Sequence, residues 1–298
     1  MALLEPSTIT ILVLTGIFSS SIIFLISAGL QIVFGIQRIL NLTVGSFYAI
    51  GAYVGITFIN FFLKMGFSVV YGLLFLILAG LSLSFLGPTI ERGVLNFVYK
   101  KEEAFQLLAT FGLVLIFEDM IKLIWGSYPQ ISDFGILTYG EFRFLDTSFP
   151  VYYFLVIISA FLIAFLLEFF IKKTRQGKKM RSVADDIEMS EGLGVKVRNI
   201  YILSFTIGTV LGTLAGALII PVTAAVLGMG IEAIVLAFAV VVIAGLGSMR
   251  GALLASLIVG LLQAFITFIF PELTTFVIYL IVIAVLLIKP TGLMGKEI

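Results

Sequence analysis

Side chains that could do covalent chemistry are scarce in this chain. It contains no Cys and no His, which excludes disulfides, thiolate nucleophiles and Cys/His metal centres. A phosphate-binding loop of the G-x-x-x-x-G-K-[ST] type is absent, and its nearest approach, 291–297, lacks the first Gly and the hydroxyl. We therefore expect no catalytic residues, no metal and no cofactor. Any ATP would be hydrolysed by a partner.

The longest polar segment, 172–198, has the pattern of two short helices. Four of its apolar residues follow the helical spacing i, i+3, i+4, i+7 and share one face: Met180, Val183, Ala184 and Ile187. Asp185 or Asp186 can cap a second short helix, which Gly192 or Gly194 can end. The segment has eight basic residues, six of them ahead of a cluster of four carboxylates and two after it. That charged surround favours a protein-docking site over a helix resting on anionic headgroups.

Polar side chains also interrupt the apolar stretches. One group lies between the first two of these stretches: Gln37, Asn41, Thr43 and Ser46. These residues could line a translocation path or form hydrogen bonds between helices. Glu232 could face the path or stabilise a helix N-terminus. Glu118 and Lys122 are spaced i, i+4, which predicts a local ion pair.

The elements that position these groups must be membrane-spanning helices. Hydrophobic residues form 61% of the chain and charged residues 12%, against about 45–50% and about 25% in soluble domains. Nine charge-poor runs reach the roughly 18 residues that a span requires: 9–35, 42–62, 67–90, 104–125, 151–171, 199–220, 231–248, 252–270 and 273–289. We predict an all-α polytopic membrane protein, one domain over 1–298 with about eight or nine transmembrane helices. The short run 231–248 is a candidate re-entrant segment.

Basic residues predict the orientation, because Lys and Arg accumulate on the cytoplasmic side. If 172–198 is cytoplasmic, strict alternation places four more segments on that side: 36–41, 91–103, 249–251 and the tail from Lys289. All of the 18 basic residues except Lys64, Lys122 and Arg143 then lie there. The predicted N-terminus is outside and the C-terminus is cytoplasmic. The lipid membrane, and not nucleic acid, is the expected environment.

Small residues recur at helix-packing spacing. Gly208, Gly212 and Gly216 form one row, and Gly51 and Gly55 form another. Such rows allow helix backbones to approach closely in lipid. They favour a tightly packed bundle, with a moving gate as the alternative.

The polar segment also resembles a known family. Its pattern is Gly177-x-x-Met180-Arg181-Ser182-Val183-Ala184-x-Asp186-x-Glu188, ending Leu193-Gly194-Val195. This resembles the cytoplasmic coupling loop of LivH/LivM-type permeases, the membrane subunits of branched-chain amino acid ABC importers, although Ser190 and Gly192 depart from it. The likeness extends over five further runs and is closer to LivH: 41–53, 91–92, 107–113, 125–126 and 237–252.

The resemblance implies a permease subunit in a prokaryotic cell (inner) membrane that carries branched-chain amino acids delivered by an extracytoplasmic substrate-binding protein. It also implies a second, LivM-like permease and two cytoplasmic ATPase subunits. The ATPase-docking residues would be Gly177, Met180, Arg181, Val183, Ala184, Asp186, Ile187, Glu188 and Gly194. The alternative function is a secondary, ion-coupled transporter of a small organic solute. It lacks support because no lone carboxylate is evident at mid-membrane depth.

Overall fold

Helices form nearly all of the protein. A computed structural model describes residues 6–99, 101–132, 134–135, 137–144, 147–245, 247–288 and 292–294. The α-helices in chain order are α1 (Pro6–Gln37), α2 (Thr43–Lys64), α3 (Gly72–Ser82), α4 (Leu86–Ile90), α5 (Asn96–Val98), α6 (Glu103–Trp125), α7 (Val151–Lys173), α8 (Arg175–Asp185), α9 (Ile187–Gly192), α10 (Val197–Ile219), α11 (Met229–Ala244), α12 (Met249–Ile269) and α13 (Thr274–Ile288). An antiparallel hairpin of β1 (Glu141–Phe144) and β2 (Thr147–Pro150) lies between α6 and α7.

The predicted fold class, an all-α polytopic membrane protein, is confirmed. Six helical segments are long and apolar enough to cross a membrane: Pro6–Gln37, Thr43–Lys64, Val69–Val98, Val151–Lys173, Val197–Ile219 and Met249–Ile269. The other three predicted segments correspond to α6, α11 and α13. The apolar helix α11 has only 16 residues, as its short sequence run suggested. The number of helices that cross stays a prediction.

The segment from Val69 to Val98 is helical but irregular. Short 3-10 turns flank α3, and a π-helical turn, Glu91–Leu95, separates α4 from α5. The π turn holds Glu91 at 1% exposure. Irregular helix at membrane depth is tolerated where surrounding protein satisfies the backbone.

The core forms where small residues bring helices together. Gly208 in α10 lies against Gly29 of α1, and Gly216 lies against the Tyr48 carbonyl of α2. Gly51 in α2 meets the backbone of Thr213 in α10. A Cβ atom at any of these glycines would overlap the neighbouring helix. The small-residue rows therefore pack the bundle tightly.

The connections collect at two ends of the bundle, which we name the loop end and the hairpin end. The loop end contains α8 and α9, where the Arg38 guanidinium donates to the Ala184 carbonyl (3.3 Å). There, the backbone N–H groups of Leu293 and Met294 donate to the Ile243 and Ala244 carbonyls (2.8 and 3.0 Å). This end gathers segments that the charge pattern predicted on one side.

The hairpin end contains β1 and β2. Gln130 pairs with Ala225 through two backbone hydrogen bonds of 2.9 Å. The Trp125 indole N–H donates to the Thr57 hydroxyl (2.9 Å). These contacts place the connections after α2, α6 and α10 at the same end.

Candidate docking and translocation sites

Helix α8 begins at a sharp bend after α7. The Thr174 hydroxyl accepts a hydrogen bond from the Gly177 N–H (3.0 Å), which caps the first turn of α8. Gly177 lies directly against the backbone of Phe170 and Ile171, where a Cβ atom would overlap. Gly177 is thus required for the close α7–α8 approach. No partner contact is needed to explain it.

Helix α9 begins and ends as the sequence allowed. The Asp186 carboxylate accepts from the Met189 N–H (2.9 Å) and caps α9. The helix ends at Gly192, and Gly194 follows with a φ of +81°, a left-handed conformation that favours glycine. The Ser182 and Ser190 hydroxyls are 2.7 Å apart and join α8 to α9. The family departure at Ser190 therefore has a local structural role.

The apolar strip of α8 faces inward. Met180 and Val183 are 1% and 0% exposed and belong to the core of this chain. Ala184 of α8 and Ile187 are partly buried against the same core. Ile187 begins α9, so the four residues do not share one helix as predicted, because the extended backbone at Asp186 ends α8. Met180 and Val183 therefore do not form the exposed contact surface expected from the sequence. The physical reason is that an amphipathic helix covers its apolar face with the nearest apolar surface, which here is the chain's own bundle.

The outward side of this segment carries a different apolar pair. Met189 and Leu193 are 65% and 75% exposed and are spaced i, i+4. The same segment also has exposed charged residues: Lys178, Lys179, Arg181, Asp185, Asp186, Glu188 and Glu191. We call Met189, Leu193 and these charged residues the exposed face. This apolar pair was not predicted from the sequence, although its i, i+4 spacing was a usable signal.

Three of the path candidates form hydrogen bonds at the loop end. The Gln37 amide donates to the Tyr201 carbonyl (2.9 Å) and the Ser204 hydroxyl (3.1 Å), joining α1 to α10. The Asn41 side-chain oxygen accepts from both the backbone N–H and the hydroxyl of Thr43 (3.0 and 2.5 Å). Only the Gln37 contacts join two helices, as the alternative of hydrogen bonds between helices predicts, whereas the Asn41–Thr43 contacts are local. Within the described ranges, Gln37 Oε1 and Asn41 Nδ2 have no hydrogen-bond partner.

Glu232 lies elsewhere, at a cavity of about 240 Å³ near the hairpin end. The cavity is bordered by α1, α2, α11, α12 and the α10–α11 connection. Ser46 is a buried residue of α2 and does not line this cavity. The structure therefore does not bring the five path candidates into one site.

Glu118 has a partner that the sequence did not reveal. Its carboxylate accepts from the Gly228 N–H (2.5 Å), immediately before α11. In the described part of the chain, neither Glu118 nor Lys122 takes part in an ion pair, so the predicted i, i+4 pair is wrong. The carboxylate instead satisfies a donor at a helix N-terminus. Gly228, with a φ of +85°, provides the turn that this arrangement requires.

Metal binding has no support in the described ranges. There, no three Asp, Glu, His or Cys side chains come together as metal ligands. The arrangement offers a capped and anchored loop at one end and an open polar cavity at the other. Such an arrangement suits a protein that binds and moves a solute.

Comparison with known proteins identifies the family. The family profile for the permease component of branched-chain amino acid transport systems matches residues 12–286. The chain is 29% identical to the high-affinity branched-chain amino acid transport system permease protein BraD of Pseudomonas aeruginosa, with 94% of each chain covered. It is 28% identical to LivH of Escherichia coli, also with 94% of each chain covered.

A more distant relative is archaeal. The chain is 26% identical to a probable branched-chain amino acid transport permease protein LivH of Methanocaldococcus jannaschii, covering 95% of this chain and 91% of the relative. No solved structure matches the chain. Because the family profile spans nearly all of its length, this chain belongs to the family of permease components of branched-chain amino acid transport systems.

Proposed function

We propose that this chain is the membrane permease subunit of an ATP-binding cassette importer that carries branched-chain amino acids across a prokaryotic cell membrane. Family membership supports a transport subunit, not an enzyme. The observation that carries the importer assignment is the exposed face on α8–α9, which is fixed to the bundle but presents an apolar pair among charges. A small apolar centre within a polar rim is typical of a protein-docking surface.

The attachment of α8 and α9 explains how force would pass into the membrane. Met180 and Val183 fix α8 in the core, and Gly177 seats it against α7. The Ser182–Ser190 contact links α9 to α8, and α10 begins five residues after α9 ends. A displacement imposed on the exposed face would therefore move α7, α8 and α10 together, because packed cores transmit strain.

The loop end and the hairpin end of the bundle would bind different partners. The loop end would be cytoplasmic and would bind two ATPase subunits through the exposed face. The hairpin end would be outside and would receive the amino acid from an extracytoplasmic substrate-binding protein. A second, LivM-like permease would complete the membrane domain. The C-terminal tail would be cytoplasmic, which agrees with the predominance of Lys and Arg in the loop-end segments.

The docking proposal is tested with a charge-introducing double variant, Met189→Asp with Leu193→Asp. We expect at least about tenfold less ATPase to co-purify with the two permeases, because carboxylates replace the desolvated centre of the interface. Uptake of leucine into proteoliposomes should fall in parallel. The bundle should keep its elution volume in detergent, because both side chains are exposed.

Its control is the exchange Met189→Leu with Leu193→Met, which keeps an apolar centre and should retain ATPase binding. Unchanged ATPase binding and uptake in the Asp variant would contradict the assignment of the exposed face. Leucine uptake that needs no ATP and ceases when the proton gradient collapses would contradict the importer itself and favour an ion-coupled carrier.

A further inference from the structure

The cavity at the hairpin end combines an aliphatic wall with unpaired polar groups. Its aliphatic side includes Ile22 and Ile26 of α1 and Leu236 of α11. Five polar side chains also line it: Ser19, Tyr48, Thr223, Glu232 and Gln263. Its volume of about 240 Å³ accommodates several water molecules or one small solute.

None of these five side chains forms a hydrogen bond with another described residue. Tyr48 is 8% exposed, so its phenol is almost wholly enclosed by protein and borders the cavity. Of the other four, Ser19 and Gln263 are half-buried, and Thr223 and Glu232 are exposed. Polar side chains that border one cavity and have no partner among the described residues are free to bind a polar solute.

A second groove provides the contrast. It runs between α7 and α10, and the side chains that line it are apolar apart from two hydroxyls, Thr174 and Thr206. Both hydroxyls donate to carbonyls four residues earlier, at 2.7 and 2.6 Å. The polar groups of that groove already have hydrogen-bond partners, and its apolar walls suit lipid chains. The polar side chains that line the cavity at the hairpin end have no such partners in the part of the chain that the structure describes.

Glu232 is the only ionisable carboxylate among the cavity-lining residues, and no Lys or Arg lines the cavity. Within the described ranges, the ion pairs involve Glu168, Lys172 and Arg250 and leave Glu232 without a basic partner. The Glu118 carboxylate bonds the Gly228 N–H before α11, and the Glu232 carboxylate, in the first turn of α11, bonds no described residue. An ionisable residue within a membrane protein normally pairs with an ion, a substrate or another residue.

We propose that this cavity is a binding site for an aliphatic amino acid, in which the Glu232 carboxylate receives the α-ammonium group. The hydroxyls of Ser19, Tyr48 and Thr223 and the Gln263 amide supply the donors that the substrate carboxylate requires. Ile22, Ile26 and Leu236 contact the aliphatic side chain. This inference rests on the proposed function and deepens it, because a site built on Glu232 selects amino acids over uncharged amides of the same shape.

The test uses the complete importer in membranes, with a single reporter cysteine in this chain. The chain has no native Cys, so Ser19→Cys introduces one thiol that lines the cavity. Thr223→Cys is a second, more exposed reporter. Alkylation by a membrane-impermeant maleimide is measured with and without leucine. Leucine should slow alkylation at both positions but not at Ser127→Cys, an exposed control on the connection after α6.

Two small analogues of leucine then test which of its charged groups the cavity recognises. The amine 3-methylbutylamine, which has the ammonium group but no carboxylate, should protect the reporters weakly. The acid 4-methylpentanoate, which has the carboxylate but no ammonium group, should not protect them.

Glu232→Gln should raise the half-protecting leucine concentration at least about tenfold, because a charge-assisted contact is lost. Glu232→Asp, which keeps the charge, should retain most of the protection. Glu272→Gln, an exposed carboxylate at the same end, should leave it unchanged.

The failures of the two proposals are distinguishable. Equal protection by leucine and 4-methylpentanoate, or full protection in Glu232→Gln, would overturn ammonium recognition at Glu232. Absence of leucine protection in an importer that transports leucine would overturn the site itself. An importer that assembles but transports no branched-chain amino acid would instead contradict the proposed function.

Discussion

Helices α7 and α10 have the same length but opposite surroundings. Each has 23 residues, and α7 is the more apolar of the two. In the most apolar 18-residue stretch of each helix, 11% of α7 is buried within the protein, against 67% of α10. Lipid tails are as apolar as a protein core, so apolarity alone does not drive a helix into the bundle.

The residues of the two helices show which property does favour burial of a helix in the bundle. The outward surface of α7 is built from large side chains that are more than half exposed: Phe161, Leu162, Phe165, Leu166 and Phe169. The buried stretch of α10 instead contains Gly208, Gly212 and Gly216, with Thr209 and Thr213 between them. Small residues allow the backbones of neighbouring helices to approach closely, and a hydroxyl can then form a hydrogen bond from one helix to the other. In this bundle, the core is therefore recognised by residue size and not by hydrophobicity.

The strongest test of this comparison is the same substitution at two glycines. Gly216→Ala should destabilise the bundle by about 1–3 kcal/mol or more, because the added Cβ overlaps the Tyr48 carbonyl. Gly112→Ala in α6, where nothing lies within 4 Å of the added Cβ, should be neutral or stabilising by up to about 1 kcal/mol. The measurement is the apparent Tm in detergent, together with the yield of monodisperse protein.

The comparison depends on a loss of stability for Gly216→Ala and no loss for Gly112→Ala. An equal loss at both glycines would mean that α6 is covered as closely as α10, and the contrast between buried and exposed helices would fail.

A smaller effect is expected where α7 touches α10. Tyr152 is fully buried, and its hydroxyl donates to the Leu218 carbonyl (2.7 Å) in the last turn of α10. Tyr152→Phe keeps the packing but leaves that carbonyl without its donor, which should cost about 1–2 kcal/mol. The apparent Tm should fall, whereas Tyr153→Phe, a partly buried neighbour, should change it little. Equal shifts for the two variants would show that the hydrogen bond contributes nothing specific.

The smallest effect is expected at the exposed end of α7. Glu168 pairs with Lys172 one turn away and with Arg250 of α12 (2.8 Å). Arg250→Ala should lower the apparent Tm only slightly, because exposed ion pairs contribute little. The difference from wild type should shrink further at high salt. A larger, salt-independent loss would indicate that this end of α7 is held more firmly than its exposure suggests.

The sequence was sufficient to locate the helices, because a backbone in lipid must satisfy its own hydrogen bonds and long charge-poor runs have few alternatives. It was also sufficient for α8 and α9, whose spacing and caps are local. It could not show what covers an apolar strip, so the burial of Met180 and Val183 was missed. The Glu118–Gly228 contact spans 110 residues, and no local spacing encodes it.

The cavity was beyond sequence analysis for a related reason. Its polar residues come from four helices and one connection, and each alone resembles an ordinary packing residue. Glu232 was identified as a candidate, but its neighbours Ser19, Tyr48, Thr223 and Gln263 were not. Only their placement around one space separates them from the many Ser and Thr residues that bond to their own helix.

The contact of Leu293 and Met294 with α11 has a consequence for biosynthesis. The last carbonyls of a helix lack partners within it, and Ile243 and Ala244 are buried, at 1% and 0% exposure. Here the Ile243 and Ala244 carbonyls are satisfied by residues that leave the ribosome only after α12 and α13 have been made. The last turn of α11 therefore gains these two hydrogen bonds only after the tail has been synthesised.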